Sequence, residues 1–99
     1  MEHQELLIGF IRVHILHHAA KGEIFGTWMI AELARHGYKM SAGTLYPMLH
    51  GLERKGYLKS RRKRVGQTYR RVYQATPLGR KALKTARTRL NRLFDEHRP

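Results

Sequence analysis

Apolar residues recur at helical spacing in four stretches of this chain, and the first stretch covers residues 4–20. It is apolar over most of its circumference, a pattern typical of a helix buried on more than one side. Its central stripe consists of Leu7, Phe10, Ile11, His14, Ile15 and His18. Gly22 suits the stop after its C-terminus. We predict a helix that packs on the core with one side and on a second subunit with the other.

Two shorter stretches with helical spacing follow, separated by a brief turn. In residues 27–36, Thr27 is a candidate N-cap, and Gly37 supplies a left-handed position past the C-terminus. The next helix begins at Ser41, another candidate cap, and ends at Gly56. Its buried stripe is Leu45, Met48, Leu49 and Leu52. Two helices joined by a short turn form the outline of a helix-turn-helix.

After the third helix the pattern changes from helical to extended. The residues that favour strands there are Tyr57, Leu58, Tyr69, Val72 and Tyr73, and Gly66 fits a turn between them. We predict a β-hairpin that packs on the helices, because a lone hairpin is marginal in water. The tip of this hairpin, the wing, would carry Arg61, Arg62, Lys63, Arg64, Arg70 and Arg71.

The last stretch begins with Thr76 and Pro77, a cap followed by proline at the first helical position, and runs to about His97. Its apolar residues are 3, 4 and 3 positions apart, the heptad-like spacing of a coiled-coil seam: Leu83, Ala86, Leu90 and Leu93. A helix of about 22 residues is ~33 Å long, more than so small a domain covers with its own surface. We predict an arm that pairs two copies of the chain; the alternative is a helix lying only on its own core. The residues predicted to pair are Leu7, Ile11, Leu83, Ala86, Leu90, Leu93 and Phe94.

Together these elements predict a mainly α fold with a small β-hairpin. Residues 1–75 would form a winged helix-turn-helix, and residues 76–99 a C-terminal dimerisation helix, within one compact unit. A chain this short buries only about 60–65% of its unfolded surface, so a partner subunit would help to stabilise it.

Charge narrows the function further. Twenty Lys and Arg against seven Asp and Glu give a net charge of +13. No acid lies between Arg54 and Phe94, a stretch that holds fifteen of the basic residues. Basic side chains at this density repel one another unless a polyanion neutralises them. Clustered Arg and Lys are typical of nucleic-acid binding. The alternative is a basic surface that only keeps the protein soluble.

The composition also argues against several classes of protein. Without cysteine, neither a disulfide framework nor a zinc finger can form. No apolar run approaches the ~20 residues that cross a membrane, and the acidic N-terminus is unlike a signal peptide. No nucleophile–base set, paired carboxylates or phosphate-cradling loop is present, so we expect no enzyme, cofactor or metal.

The third helix carries three residues that disfavour helices, Gly43, Pro47 and Gly51. All three avoid its buried stripe, so small or flat side chains on the outward face would let the backbone approach DNA. We predict DNA contacts from this helix and its start at Lys39, Ser41, Gly43, Thr44, Tyr46, Pro47, His50 and Arg54. We predict wing contacts from Arg61, Arg62, Lys63, Arg64 and Arg70.

The segments SAGTLYPMLHGLERKGYLKS and YQATPLGRKAL resemble the PadR family of winged-helix transcriptional regulators. The matching residues are Ser41, Gly43, Thr44, Leu45, Tyr46, Pro47, Leu49, Leu52, Glu53, Gly56, Thr76, Pro77, Gly79 and Arg80. The family's His-Gly-Tyr element before the second helix reads Phe25, Gly26 and Thr27 here. The resemblance implies a homodimeric repressor in the prokaryotic cytoplasm that binds an operator on the nucleoid and is sometimes relieved by an aromatic ligand. Paired recognition helices about one DNA turn apart predict an inverted-repeat operator.

Three alternatives stay open beside this interpretation. A winged-helix module could use its wing to bind RNA or a protein partner without reading an operator. His14, His17 and His18 have a spacing that could hold a divalent metal, although structural histidines are commoner. Phe10 and Trp28 could line a pocket between subunits for a small aromatic effector, or could simply pack in the core.

Overall fold

The computed structural model describes residues 3–95. The elements run in the order α1 (Gln4–Lys21), β1 (Ile24–Phe25), α2 (Gly26–Arg35), α3 (Ala42–Arg54), β2 (Leu58–Val65), β3 (Thr68–Ala75) and α4 (Pro77–Asp95). The predicted fold class, mainly helical with a small hairpin, is confirmed. The predicted end of the last helix near His97 lies outside the described residues. Within them, no helix combines the length and the apolar character needed to cross a bilayer.

The core lies where the first three helices meet the base of the sheet. It consists of Ile11, Ile15, Leu16, Ala19, Ile24, Met29, Leu33, Leu45, Leu49, Leu52, Leu58, Tyr73, Ala75 and Leu83. Three of the four residues in the predicted α3 stripe are buried, and Met48 is partly buried. Burying a side chain such as Leu or Ile stabilises a fold by roughly 1.5–3 kcal/mol. No polar or charged side chain is buried among residues 3–95, so apolar packing holds this core together.

The sheet has three antiparallel strands in the order β1-β3-β2. Val65 pairs with Thr68, so the hairpin turns over two residues, and Gly66 takes a positive φ of 63°. The sequence pattern does not predict β1, which has only two residues. Its pairing of Ile24 with Tyr73 and Phe25 with Val72 ties the base of the wing to the segment after α1.

One predicted cap is wrong. α2 begins at Gly26, and Phe25 occupies its N-cap position, so Thr27 lies inside the first turn. The Thr27 hydroxyl instead accepts a hydrogen bond from the Arg70 guanidinium. At α3 the predicted Ser41 does occupy the N-cap position, but its side chain makes no capping hydrogen bond.

Thr76 joins three elements at the point where the wing ends. Its N–H donates to the carbonyl of Tyr57 (3.0 Å), and its hydroxyl donates to the carbonyl of Gly56 (2.5 Å). The same hydroxyl accepts from the N–H of Gly79 (3.0 Å), which is the predicted side-chain cap of α4. Gly79 itself approaches the chain closely, because a β-carbon there would lie 2.1 Å from the Tyr57 carbonyl oxygen.

α4 then packs along α1. The Arg80 guanidinium donates to the carbonyl of Ala20 (2.8 Å), near the C-terminus of α1. One turn beyond the buried Leu83, the Arg87 guanidinium contacts Nδ1 of His17. These contacts fix the direction in which α4 leaves the wing.

The close approach at Gly79 predicts a large cost for a single methyl group. We expect Gly79→Ala to lower the free energy of unfolding by about 2–3 kcal/mol, because the obstacle is backbone and cannot rotate away. Gly51→Ala is the matched control, since its β-carbon would meet only the mobile end of Arg54 at 3.7 Å. The control should be neutral or more stable by about 0.5–1 kcal/mol in urea denaturation. Equal effects of the two substitutions would contradict this account of the junction.

Candidate nucleic-acid interface

The outward face of α3 is exposed as the sequence predicts. Gly43, Pro47, His50 and Arg54 lie on this face, opposite three leucines that are no more than 5% exposed, Leu45, Leu49 and Leu52. Lys39 and Ser41 are exposed just before the helix begins. The carbonyl that the Pro47 ring would crowd belongs to Gly43, so no side chain adds to the clash. The face therefore has small side chains at its N-terminal end, Gly43 and Pro47, and longer polar side chains further along, His50 and Arg54.

Tyr46 does not lie on this face. It is half-buried and packs against the core. Its hydroxyl lies so close to Gly26 that a β-carbon on that glycine would be only 2.4 Å from the hydroxyl oxygen. Tyr46 therefore holds α3 against the start of α2. Thr44 is also partly buried, with its hydroxyl 3.4 Å from that of Ser41.

The basic residues of the wing divide between its two faces, because side chains alternate along a strand. The strand register places one set on the face that continues from the helical core, which we call the core-side face: Ser60, Arg62, Arg64, Tyr69 and Arg71. It places another set on the opposite, outer face: Lys59, Arg61, Lys63 and Arg70. The predicted wing contacts Arg61, Arg62, Lys63, Arg64 and Arg70 are therefore not brought together on one surface.

The core-side face adjoins α3. Glu53, on α3, accepts a hydrogen bond from Ser60 (2.7 Å), and Arg71 donates to the same hydroxyl (3.0 Å). The Arg62 guanidinium lies 4.7 Å from the centre of the Tyr69 ring. These arginines contact neutral groups, so their charge stays available to an anion. Arg71 was absent from the predicted contacts; the signal that places it here is its register opposite Arg62.

The outer face is held by residues from the connection between α1 and α2. The Glu23 carboxylate bonds Arg61 (2.7 Å) and Lys63 (3.2 Å). The hydrogen bond from Arg61, followed by that from Lys63, lowers the pKa of Glu23 below its usual value. The Arg70 guanidinium lies over the Phe25 ring, 4.3 Å from its centre. Charge on this face is thus partly compensated within the protein.

A second candidate surface is the apolar cleft between α1 and α4. It has a volume of about 410 Å³ and is lined by Leu6, Gly9, Phe10, Val13, Ala86, Arg89, Leu90 and Leu93. Leu6 is 73% exposed, Leu93 52% and Phe94 70%. A monomer rarely exposes apolar side chains together in this way unless they form an interaction site.

The structure does not bring all the predicted pairing residues to that cleft. Ile11 is fully buried and Leu83 is 4% exposed, so both belong to the protomer's own core and cannot contact a partner. Leu7 is partly buried against the same core. An apolar stripe on a helix shows that its residues are buried, but it does not show whether the same chain or a partner buries them. For this reason the sequence pattern wrongly assigns Ile11 and Leu83 to the partner. Ala86, Leu90, Leu93 and Phe94 remain candidates for pairing.

The two aromatic residues predicted to share a ligand pocket lie apart. Phe10 lines the α1–α4 cleft, whereas Trp28 lines a cleft of about 380 Å³ with His18, Lys21, Gly22, Glu23, Ile24 and Phe25. Trp28 is 46% exposed and Phe10 42%. The two residues thus line separate clefts, and a pocket between subunits for an aromatic effector stays a prediction.

Of the three neighbouring histidines of α1, His17 lies against Arg87 and the His18 ring, while His14 and His18 lie beside His36 and Glu32. His18 Nε2 lies 3.3 Å from the Glu32 carboxylate, and the His14 ring lies 5.0 Å from that of His36. His36 also contacts Glu32, at 3.2 Å. In the part of the chain between residues 3 and 95, no group of three or more His, Cys, Asp or Glu side chains is arranged to hold a metal ion.

Comparison with known proteins agrees with this architecture. The model of the transcriptional regulator PadR-like family matches residues 15–85. Transcriptional regulator Rv3488 of Mycobacterium tuberculosis (strain ATCC 25618 / H37Rv) is 54% identical over 86 residues, which cover 87% of this chain and 80% of that protein. A PadR family transcriptional regulator from Eggerthella lenta DSM 2243 is 29% identical, with a TM-score of 0.80 over 93% of this chain and 81% of that one. Bacillus subtilis PadR, crystallised in complex with operator DNA, is 21% identical, with a TM-score of 0.69 over 77% of this chain and 44% of that one.

The histidine environment predicts loss of stability in mild acid. Burial lowers the pKa of His14, His17 and His18 below 6.5; neighbouring basic groups lower it further, and Glu32 opposes the lowering at His14 and His18. The unfolded chain therefore binds more protons, so the stabilisation is fully present above about pH 6.5 and is lost as the pH falls below that value. Glu32 stays ionised there, because the hydrogen bond from Arg35 lowers its pKa to about 2.

Urea denaturation at pH 7.5 and pH 5.5 measures this effect. The midpoint should fall at the lower pH, and a variant with His14→Gln and His18→Gln should show a smaller fall. His50→Gln, outside the cluster, serves as the control and should keep the full fall. An unchanged or higher midpoint at pH 5.5 would contradict the assignment.

Proposed function

This chain belongs to the transcriptional regulator PadR-like family, and from that premise we propose that it is a homodimeric repressor that binds double-stranded DNA. Its operator would be an inverted repeat, and its place of action the nucleoid of a prokaryotic cytoplasm. The observation that carries the proposal is that the exposed face of α3 and the basic core-side face of the wing belong to adjoining elements. Ser60 of the wing donates a hydrogen bond to Glu53 of α3 and so joins the two.

α3 has the form of a recognition helix. The major groove of B-DNA is about 12 Å wide and admits an α-helix. Gly43 and Pro47 keep the exposed face flat near its N-terminal end, while His50 and Arg54 extend polar atoms toward base edges or phosphates. The solved complex of Bacillus subtilis PadR with operator DNA supports this use of the shared fold.

The wing would bind the DNA backbone beside that groove. Arg62, Arg64 and Arg71 lie on the face nearest α3, and arginine suits both phosphate oxygens and a narrow minor groove. Contacts to phosphate carry no sequence information, so the wing would supply affinity and register while α3 reads bases.

Pairing through the α1–α4 cleft would complete the DNA-binding unit. The exposed Leu93 and Phe94 of α4 and Leu6 of α1 are apolar enough to form the centre of an interface. A two-fold pair would present two α3 helices to one side of the duplex. Half-sites would then lie about one helical turn, ~34–36 Å, apart.

Salt dependence tests the DNA interface. Neutralising six to ten phosphates makes affinity for duplex DNA fall ~10³–10⁵-fold between 50 and 200 mM salt. Replacing Arg62 and Arg64 by Gln should weaken binding and reduce the slope of log K against log salt by about 2, because two phosphate contacts are lost.

Lys81→Gln with Lys84→Gln is the control for this pair, since it removes the same charge from exposed positions on α4. The control should keep the slope of the unmodified protein. A salt-insensitive complex, or equal losses in both variants, would contradict the proposed surface. Equally tight binding of single-stranded RNA would favour a general polyanion clamp instead.

The oligomeric state tests the pairing surface. Leu93→Glu combined with Phe94→Glu should convert a dimer into a monomer at micromolar concentration, because charge would be buried in an apolar interface. Both side chains are exposed in the protomer, so its fold should persist. Leu78→Glu, a 50% exposed position at the other end of α4, should remain dimeric in analytical ultracentrifugation. A monomeric unmodified protein would refute pairing, and a dimeric double variant would refute this location.

A further inference from the structure

We propose that Glu23 acts as an internal substitute for a DNA phosphate, occupying the outer face of the wing and limiting its binding to DNA of arbitrary sequence. The proposal rests on the proposed function, because it concerns how the wing selects the DNA that it binds. It makes Glu23 a specificity-determining residue that does not itself face the operator.

Backbone pairing fixes the position of Glu23 beside Arg61 and Lys63. Glu23 stands directly before β1, whose two residues pair with Tyr73 and Val72 of the wing. That pairing holds the Glu23 carboxylate beside the outer face, where one oxygen meets Arg61 Nε at 2.7 Å and the other meets Lys63 Nζ at 3.2 Å. The two cations are spaced by two residues on β2, so they share this face.

These two donors are the groups that would otherwise bind phosphate. A carboxylate that accepts from an arginine and a lysine imitates a phosphate group, which offers the same kind of anionic oxygen. The two side chains remain 58% and 44% exposed, so DNA can displace Glu23, at the expense of both ion pairs.

The two faces of the wing therefore differ in what they offer DNA. When α3 lies in the major groove, the core-side face adjoins the duplex and its arginines bind without displacing an acid. In a complex of arbitrary sequence, α3 does not fix the orientation, and the outer face also meets phosphates. Glu23 weakens that second kind of contact, which raises the ratio of operator affinity to non-specific affinity.

The test is fluorescence-anisotropy titration with a labelled duplex of random sequence over a range of salt concentrations. Glu23→Gln keeps the shape of the side chain and frees Arg61 and Lys63. We expect it to bind the random duplex roughly 2- to 30-fold more tightly, the combined effect of two exposed ion pairs. Its salt slope should steepen by up to about 2, since two further phosphates can be neutralised.

Two comparisons make the effect specific to this contact. Asp95→Asn changes the net charge equally at the far end of α4 and should change the affinity less than twofold. In a protein that already carries Arg61→Gln and Lys63→Gln, the Glu23→Gln change should have no further effect. Gains equal to those of Asp95→Asn, or gains that persist without the two cations, would overturn the proposal.

The same titration separates this proposal from the proposed function. If the unmodified protein binds duplex DNA with a steep salt slope and Glu23→Gln matches Asp95→Asn, only the role of Glu23 is lost. If the unmodified protein does not bind duplex DNA at low salt, both proposals fail together.

Discussion

The junction at Thr76 is the constraint on which the arrangement of this protein depends. Three parts of the chain meet there: the end of α3, the base of the wing and the start of α4. Thr76 holds them together by hydrogen bonds to the carbonyls of Tyr57 and Gly56. Gly79 adds a backbone contact that no larger residue could make. The angle between α3 and α4 is therefore set at one place. This gives a physical role to four residues that match the family: Thr76 caps α4, Pro77 starts it, Gly79 allows the close approach and Arg80 bonds α1.

Electrostatics decides how the rest of the surface is used. Arg54 and the fourteen basic residues that follow it have no acid among them until Asp95, so any compensation must come from elsewhere in the chain. Two acids that precede this stretch meet the wing, Glu23 on the outer face and Glu53 through Ser60 on the core-side face. The arginines of the core-side face contact neutral partners instead. A polyanion approaching α3 thus meets positive charge that the protein does not neutralise.

The sequence predicts those features that depend on local pattern. The buried stripe of α3, the turn at Gly66 and the cap at Thr76 all follow from spacing and residue type. Features that depend on distant partners were not predictable in this way. β1 is too short to show a period, and the position of Tyr46 depends on Gly26, twenty residues earlier. Ile11 and Leu83 show how a stripe can be read correctly as buried and yet assigned to the wrong partner.

We propose that two copies of α3, held by the paired α4 helices, read a duplex at two places one turn apart. Selection of fragments from a pool of random duplexes by the purified protein is the decisive experiment. We expect enrichment of an inverted repeat whose half-sites are about 10–10.5 bp apart from centre to centre. Enrichment of a single unrepeated site, or no enrichment over the starting pool, would contradict it.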